Sequence, residues 1–406
     1  MNRDVVRRRM LVAAAVLAVF TLGLGLVAVL GRPVGLAPNH AAGPVPKVTP
    51  TTVPPERAVQ ILPAGTAAIN PTTPIVVRSA VGTLQSVSVA NVATGALVRG
   101  ALSQGNTTWS STEPLGYGSS YRIDATTSSN GAPVRRVETL TTLSPDAQAY
   151  ASLIPAAEQS DVGVGQPIVI RFDTAVTDRA AAEKALTVTA DPQQPGSWFW
   201  MSNTEVHYRP KSYWQPGSTV TVNARIYGVD LGDGVYGQAD RTATFRVHDA
   251  WIAKADGATK TMQIFDNGQL VKTMPISLGS PGFPTHTGPH VISDRQPSII
   301  MDSCTYGVCK GQPGYYRERV DLDERISSDG EFVHSAPWSV GQQGDSNVSH
   351  GCVNLSPANA QWFYDHFGLG DVVEITNSGG PPLPVWDTYG DWTLAWPQWH
   401  AGSALN

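Results

Sequence analysis

A cysteine and a histidine in the last third of the 406-residue chain have the neighbours that nucleophilic catalysis requires. Cys352 lies in the run Ser-His-Gly-Cys-Val-Asn over residues 349–354, and His334 precedes it by 18 residues. The thiolate is the attacking form of a cysteine, so a histidine that takes the thiol proton activates it. Gly351 lets a substrate approach the backbone, where neighbouring N–H groups can hold an oxyanion. We therefore predict a cysteine nucleophile with a histidine base.

The residues after this run predict the element that follows the nucleophile. Ser356 is a favoured helix N-cap, Pro357 suits the first helical position, and Gly368 is placed to end the helix. The positive end of the helix dipole would stabilise the thiolate modestly. Upstream, Asn-Gly at residues 267–268 separates two apolar runs and predicts a hairpin with a type I′ turn. We expect a β-rich catalytic domain over residues 250–376 with one main helix.

The middle of the chain has the period-two pattern of short strands separated by turn residues, which predicts a mainly β protein. A weak internal repeat has an offset of 99 residues and pairs Trp109 with Tyr208, Tyr121 with Val220, Ile123 with Val222 and Ala125 with Ala224. This spacing predicts two successive β-sandwich domains, over residues 58–144 and 145–249. Because neither contains a cluster of acids or histidines, we interpret both as spacer or docking modules.

The N-terminal region has the pattern of a membrane anchor followed by a stalk. Residues 1–9 carry four arginines, and residues 10–31 are uncharged and long enough to cross a bilayer core of about 30 Å. An uncleaved anchor is favoured over a cleaved signal peptide, whose apolar region is usually shorter. The positive-inside rule would keep the first nine residues in the cytoplasm and export the rest to the cell envelope. Residues 32–57 contain seven prolines and predict an extended linker.

Composition and spacing argue against nucleic-acid, metal and cofactor binding. The formal net charge of -5, without a long basic run, lacks the electrostatic footprint of a nucleic-acid binder. His286 and His290 frame a Thr-Gly-Pro run that excludes a helix with both rings on one face, and no carboxylate partner is evident. A zinc set of Cys304, Cys309 and Cys352 would consume the nucleophile. We expect neither a metal ion nor another cofactor.

The catalytic run resembles the signature of the L,D-transpeptidases of the YkuD family, a histidine followed by Ser/Thr-His-Gly-Cys-x-Asn. Here 14 residues separate His334 from Ser349. The whole chain is similar to the mycobacterial and actinobacterial subgroup of this family, which has an anchor, two modules and a Trp-rich tail. The two modules would be immunoglobulin-like, and the tail would cover residues 377–406. The tail tryptophans are Trp386, Trp392, Trp396 and Trp399. Aromatic rows can bind sugars, but this spacing favours packing against the catalytic domain and the second β module.

The resemblance implies a reaction on the peptide stems of peptidoglycan. Cys352 would attack the carbonyl of meso-diaminopimelate in a tetrapeptide donor and release D-alanine. The side-chain amine of a second diaminopimelate would then resolve the thioester and form a 3→3 cross-link, and carbapenems would acylate the same cysteine. Water as acceptor would give L,D-carboxypeptidase activity, which stays open as an alternative, together with a non-catalytic wall-binding protein.

The resemblance also assigns roles to residues around the nucleophile. His334 would be the general base, oriented by the main-chain carbonyl of Ser335. The N–H groups of Gly351 and Cys352 would form the oxyanion site, with the Tyr316 hydroxyl as a further donor. The substrate-binding set would comprise Met301, Tyr306, Tyr316, Trp338, Ser349, His350 and Asn354. Met301 and Tyr306 would belong to a mobile lid, although either could simply pack that segment onto the sheet.

Two cysteines flank Thr-Tyr-Gly-Val inside the segment that the resemblance identifies as the lid. The spacing of Cys304 and Cys309 closes a short loop, and Gly307 supplies a flexible turn. In an oxidising compartment two thiols this close tend to pair, whereas Cys352 must stay reduced. We predict a Cys304–Cys309 disulfide, with a pair of reduced, packed thiols as the alternative.

Overall fold

The structure is a computed structural model that describes residues 54–406, apart from residues 66, 104, 130, 158 and 160. The predicted cytoplasmic residues 1–9, the anchor at 10–31 and residues 32–53 of the linker lie outside the described residues. No helix among the described residues is long and apolar enough to cross a membrane. Strands dominate this part of the chain, which confirms the mainly β prediction.

The first sandwich follows a one-turn helix, Pro55–Ala58, that takes up the last residues of the predicted linker. Its larger sheet has the strand order Val59–Leu62, Val76–Ser79, Thr108–Ser111 and Gly100–Leu102. The smaller sheet has the order Leu84–Asn91, Ser120–Ser129 and Ala132–Thr141. Val77 from one sheet and Ile123 from the other are fully buried in a shared core.

The second sandwich encloses its core between two sheets of four strands each. One sheet has the order Asp161–Val162, Arg241–Val247, Thr219–Ala224 and Leu186–Asp191. The other has the order Gly196–Trp200, Glu205–Pro210, Ile168–Phe172 and Ala151–Ile154. A short helix and a parallel strand pair complete the module: Arg179–Lys184, Ala147–Ala149 and Val235–Gly237. All eight residues of the 99-residue repeat are buried, four in each sandwich core.

The C-terminal domain consists of two sheets and one long helix around a separate core. The five-stranded sheet has the order Gln269–Pro275, Thr261–Asp266, Trp251–Asp256, Val372–Thr376 and Gly288–Val291. The four-stranded sheet has the order Asp294–Asp302, Arg317–Arg325, Phe332–Ser335 and Val353–Leu355. Short helical turns occur at Ser303–Tyr306, Pro337–Ser339, Gly390–Thr393 and Trp396–His400.

Local sequence signals account for the turn and the helix of this domain. Asn267 and Gly268 both have positive φ, 46° and 82°, and join two antiparallel strands as the hairpin prediction requires. The helix Pro357–His366 begins with the Ser356 side chain accepting the Asn359 N–H. It ends two residues before Gly368, because the backbone of Phe367 is already extended.

The C-terminal tail packs on the second sandwich through its last three tryptophans. The guanidinium of Arg209 lies 4.7 Å, 5.7 Å and 4.6 Å from the ring centroids of Trp392, Trp396 and Trp399. Trp399 is fully buried, and its Nε1 donates to the carbonyl of Ser197 at 2.9 Å. Trp386 is 73% exposed and takes no part in this packing.

The same tail also contacts the catalytic domain. A β-bridge joins Thr287 to Pro382, and Asp387 Oδ1 accepts the Ser328 N–H at 2.6 Å. The tail therefore connects the two domains. Its tryptophans lie on the second sandwich, and its earlier residues lie on the catalytic domain.

Candidate active site

Pairing of two strands of the four-stranded sheet brings the histidine and the cysteine into one cleft. The strands Phe332–Ser335 and Val353–Leu355 run parallel, with His334 opposite Asn354. Cys352 directly precedes the strand Val353–Leu355, at the end of the turn that leads into it. All three side chains line one cleft of about 260 Å³.

The buried histidine is held in the tautomer of a general base. His334 is 3% exposed, and its Nδ1 lies 2.9 Å from the carbonyl oxygen of Ser335, which can only accept. Nδ1 therefore carries the proton, and Nε2 keeps its lone pair. Burial lowers the pKa of His334 to about 4, against the opposing effects of the Ser335 carbonyl and the Asn354 side chain. The imidazole is neutral at neutral pH and free to accept a proton.

The cysteine rests as a thiol rather than a thiolate. Cys352 is 5% exposed and its Sγ lies 3.7 Å from the carbonyl oxygen of Gly330. Burial raises the pKa of this thiol to about 12, the Glu331 and Asp323 carboxylates add to the rise, and the Phe332 N–H opposes it. Burial outweighs the stabilisation expected from the following helix. A nucleophilic thiolate would therefore require the loss of this proton, and the unprotonated Nε2 of His334 lies in the same cleft as a possible acceptor.

A network of hydroxyl groups shapes the turn that presents the nucleophile. Gly351 has a φ of 118°, a conformation that favours glycine. Its carbonyl accepts a 2.7 Å hydrogen bond from Thr285 Oγ1, which in turn accepts the Gly279 N–H at 2.9 Å. Ser349 Oγ donates to the Cys352 carbonyl at 2.7 Å and accepts the Gly351 N–H at 3.2 Å. That last contact would have to open for the Gly351 N–H to serve as the predicted oxyanion donor.

Most of the predicted substrate-binding residues surround this cleft, which is lined by Met301, Tyr316, Glu318, Val320, His334, Trp338, Val348, Ser349, His350, Cys352 and Asn354. The His350 ring lies 5.1 Å from Tyr316 and 4.6 Å from Phe283, so it is held between two aromatic rings. Trp338 lies 5.9 Å from His334 at the exposed rim. The backbone of Tyr306 belongs to a short helical turn, and its side chain lies outside the described part of the structure.

Some members of the site have no local sequence signal. Thr285 and Phe283 reach it through contacts between distant segments, whereas Glu318 and Val348 line the cleft beside the predicted residues Tyr316 and Ser349. Asn354 acts partly as a support, because its Nδ2 donates to Ser339 Oγ at 3.0 Å inside the protein.

The segment that the sequence analysis predicted as a lid contains the predicted disulfide. Cys304 and Cys309 are bonded, with Cα atoms 4.2 Å apart, and Gly307 between them has a φ of 101°. Cys352 is the remaining, free cysteine. Ser303 ties this loop to the sheet, because its Oγ lies 2.8 Å from the Val308 carbonyl and accepts the Tyr316 N–H at 2.9 Å.

One premise of the metal prediction is wrong. The sequence offered no carboxylate partner for His286 and His290, but the fold places Glu331 between them. Glu331 Oε1 is 3.1 Å from His286 Nδ1, and Oε2 is 3.3 Å from His290 Nε2. Asp329 adds a second carboxylate 3.7 Å from His286. A separation of 45 residues between His286 and Glu331 hid this cluster from local reasoning.

Comparisons with known proteins agree with this architecture. Residues 66–230 match the bacterial Ig domain family, and residues 250–375 match the YkuD L,D-transpeptidase catalytic domain. The chain is 44% identical over 340 residues to L,D-transpeptidase 2 of Mycobacterium tuberculosis, covering 84% of this chain and 83% of that protein. It is 34% identical over 401 residues to L,D-transpeptidase 5 of the same species, covering 96% and 85%.

A solved structure also resembles this chain. The L,D-transpeptidase LdtMt1 in complex with imipenem has 35% sequence identity and a TM-score of 0.50, over 57% of this chain and 100% of that one.

Proposed function

Because the chain belongs to the L,D-transpeptidase family, we propose that it forms 3→3 cross-links between peptidoglycan stems through an acyl-enzyme on Cys352. The observation that carries this proposal is that the side chains of His334 and Cys352 line the same cleft. The histidine tautomer supports it as well, since Nε2 is left as a proton acceptor.

Acylation uses the donor stem, a tetrapeptide that ends in D-alanine. His334 Nε2 takes the thiol proton as Sγ attacks the carbonyl carbon of meso-diaminopimelate, so a carbon–sulfur bond forms and the carbonyl becomes an oxyanion. Backbone N–H groups at Cys352 and Gly351 are the proposed donors to this oxygen, with the Tyr316 hydroxyl beside them. The carbon–nitrogen bond then breaks, and the imidazolium returns the proton to the leaving amine of D-alanine.

Deacylation uses the side-chain amine of diaminopimelate on a second stem. The amine attacks the thioester, His334 accepts its proton, and the new amide bond forms as Sγ leaves and is reprotonated. Water that enters in place of the amine would release a tripeptide, which is the L,D-carboxypeptidase alternative. The intact pair of His334 and Cys352 in one cleft favours catalysis over a purely wall-binding role. None of these steps calls for a cofactor.

Carbapenems are proposed to acylate the same cysteine. The relative in complex with imipenem shares 35% of its sequence with this chain. A β-lactam carbonyl would meet the same nucleophile and base as the donor stem, so Cys352 would open the ring and remain acylated. The donor stem and the inhibitor would therefore bind in the same cleft.

We further propose that the reaction takes place in the cell envelope. The arginine-flanked apolar run at residues 10–31 would anchor the chain in the plasma membrane, and the proline-rich residues after it would extend the exported domains toward the wall. The Cys304–Cys309 bond supports an oxidising compartment. The two sandwiches would then hold the catalytic domain away from the bilayer.

Product analysis separates the proposed activity from its alternatives. The purified chain is incubated with disaccharide-tetrapeptides, and the products are weighed by mass spectrometry, with Cys352→Ala as the matched control. A dimer that has lost one D-alanine supports the transpeptidase. Tripeptide without dimer would replace the proposal by a carboxypeptidase, and no product would leave only a binding protein.

A further inference from the structure

One charged residue of the active cleft has no part in the reaction steps. Of the residues that line the cleft in the described structure, Glu318 alone carries a carboxylate. Much of the wall around it is apolar or aromatic, with Met301, Val320, Trp338 and Val348 among the lining side chains. An ion pair is stronger beside such walls than in open solvent, because less water screens it. A substrate cation that enters the cleft would therefore find its counter-ion here.

Strand geometry directs Glu318 into the cleft. It lies on the strand Arg317–Arg325, opposite Met301 in the register of an antiparallel pair. Side chains alternate between the two faces of a strand, so Glu318 and Val320, which are two positions apart, share the face that lines the cleft. The intervening Arg319 belongs to the other face of the same strand. The carboxylate is therefore presented to the substrate by a strand of the sheet and not by a loop.

The neighbouring arginines leave this carboxylate without a partner. Arg317 pairs with Asp302, and Arg319 pairs with Asp321, each at 3.3 Å. Among the described residues, Glu318 itself takes part in no ion pair and in no side-chain hydrogen bond. Its charge is therefore available to a ligand.

Glu318 is displaced along the sheet from the reacting atoms. Its strand pairs with the strand of His334, and Asp321 lies opposite Ser335 in that pairing. Glu318 precedes Asp321 along the strand at about 3.4 Å per residue, so its backbone lies about 10 Å from that pair in the strand direction. The carboxylate therefore belongs to the end of the cleft away from the base, where it can bind a substrate group without entering the proton transfers.

The proposed donor carries a cation at a matching distance from its reacting carbonyl. Diaminopimelate, the third residue of the stem, has a second amino-acid centre at the end of a short methylene chain. The amine of that second centre lies about 7 Å from the attacked carbonyl carbon when the chain is extended. The amine of the acceptor, in contrast, must itself reach the carbonyl. The ammonium of the donor is therefore the cation that stays charged and remote from Cys352 during acylation.

We propose that Glu318 is a specificity residue that binds the side-chain ammonium of the donor's third residue. The inference rests on the proposed function and deepens it, because Glu318 would select stems with a diamino acid over stems whose third residue ends in a neutral group. The ammonium has the same charge before and during acylation, so the contact stabilises the bound donor and the transition state equally. Glu318 therefore acts on KM and leaves the kcat of acylation unchanged.

Two synthetic donors test this contact with the full chain. Both are disaccharide-tetrapeptides whose third residue carries an amide in place of the carboxylate at its second centre, so that the ammonium is the only charge there. The second donor has a hydrogen atom in place of the ammonium group. Acylation of Cys352 is followed by intact-protein mass spectrometry in wild type, in Glu318→Gln and in Asp365→Asn. Asp365 is an exposed carboxylate on the helix Pro357–His366, outside the cleft, and serves as the matched control.

The expected effect is confined to one variant and one donor. At low salt, Glu318→Gln should raise the KM for the ammonium donor by about fivefold or more, with kcat unchanged, and should leave the KM for the second donor as it is in wild type. Asp365→Asn should match wild type with both donors. The difference should shrink as salt is added, because salt screens an ion pair.

Two results would overturn the proposal. In the first, Glu318→Gln is acylated by the ammonium donor as readily as wild type. In the second, the variant loses as much with the donor that lacks the ammonium, so that the lost contact is not with the cation. An unchanged melting temperature shows that Glu318→Gln is folded, as expected for an exposed side chain of nearly the same shape. If neither donor acylates wild type, the proposed function itself fails and this inference fails with it.

Discussion

His207 of the second sandwich and Asp391 of the tail are in direct contact inside the protein, with Nδ1 2.8 Å from Oδ1. Glu205 is on the other side of the ring, 2.8 Å from Nε2. Burial alone would lower the pKa of His207, but the two carboxylates outweigh it and raise this pKa to about 9. A charged imidazole therefore links the tail to the sandwich over 184 residues of sequence.

This contact predicts a stability that falls in alkaline solution. The pKa of His207 is higher in the folded chain than its usual 6.5. The charged ring therefore adds its full share to the free energy of unfolding below pH 6.5, and this share is lost as pH rises through about 9. The shift corresponds to about 3 kcal/mol. Urea unfolding of wild type and His207→Asn across this range measures it. An equal pH slope in both proteins would contradict the prediction.

The buried thiol predicts an unusual pattern of chemical modification. Because the pKa of Cys352 is raised to about 12 and that of His334 is lowered to about 4, the resting pair is uncharged. Iodoacetamide should therefore label Cys352 slowly at neutral pH, and the rate should climb without a plateau from about pH 6 to about pH 10. A rate that is already constant between about pH 5 and pH 8 would indicate a preformed thiolate–imidazolium pair instead.

Thr285 is predicted to position the nucleophile's turn from behind. Thr285→Val keeps the shape but removes the hydroxyl that joins the Gly351 carbonyl to the Gly279 N–H. Two buried backbone groups then lose their partner, so we expect a loss of about 1–3 kcal/mol in stability and a lower kcat. Thr273→Val, on an exposed strand position, is the matched control. Unchanged kcat and melting temperature in Thr285→Val would refute this role.

We expect the Cys304–Cys309 disulfide to affect substrate binding more than stability, if this segment covers the cleft as the family resemblance implies. Cys304 and Cys309 are separated by five positions in sequence, so their bond restricts the unfolded chain only modestly. The Cys304→Ser, Cys309→Ser double variant should change the KM for the donor stem while the melting temperature moves little. In the wild-type chain, thiol counting on unfolded, unreduced protein should find one free thiol, that of Cys352. Three free thiols, or a large drop in melting temperature with unchanged KM, would oppose this prediction.

Local chemistry in the sequence anticipated the parts of this structure that depend on neighbouring residues. The Asn267-Gly268 hairpin, the Ser356 cap and the alternation of the sandwich strands are all of this kind, because turns, caps and pleats are decided within a few residues. The family signature located Cys352 and His334 in the same way.

Contacts between distant segments could not be anticipated. The hydrogen bond from Thr285 to Gly351 spans 66 residues, and the Arg209 guanidinium meets its tryptophans across a domain boundary. The high pKa of Cys352 is a consequence of burial, which depends on how the lid, the turn and the sheet come together. The sequence suggested a thiolate aided by the helix, since it showed the helix but not the burial.

The acyl-enzyme itself gives the most direct test of the proposed chemistry. The full chain is quenched with acid during turnover of a disaccharide-tetrapeptide, digested, and mapped by tandem mass spectrometry. We expect a disaccharide-tripeptide joined as a thioester to the peptide that contains Cys352, and no such adduct in Cys352→Ala. Dimer formation by Cys352→Ala, or an adduct on any other residue, would contradict it.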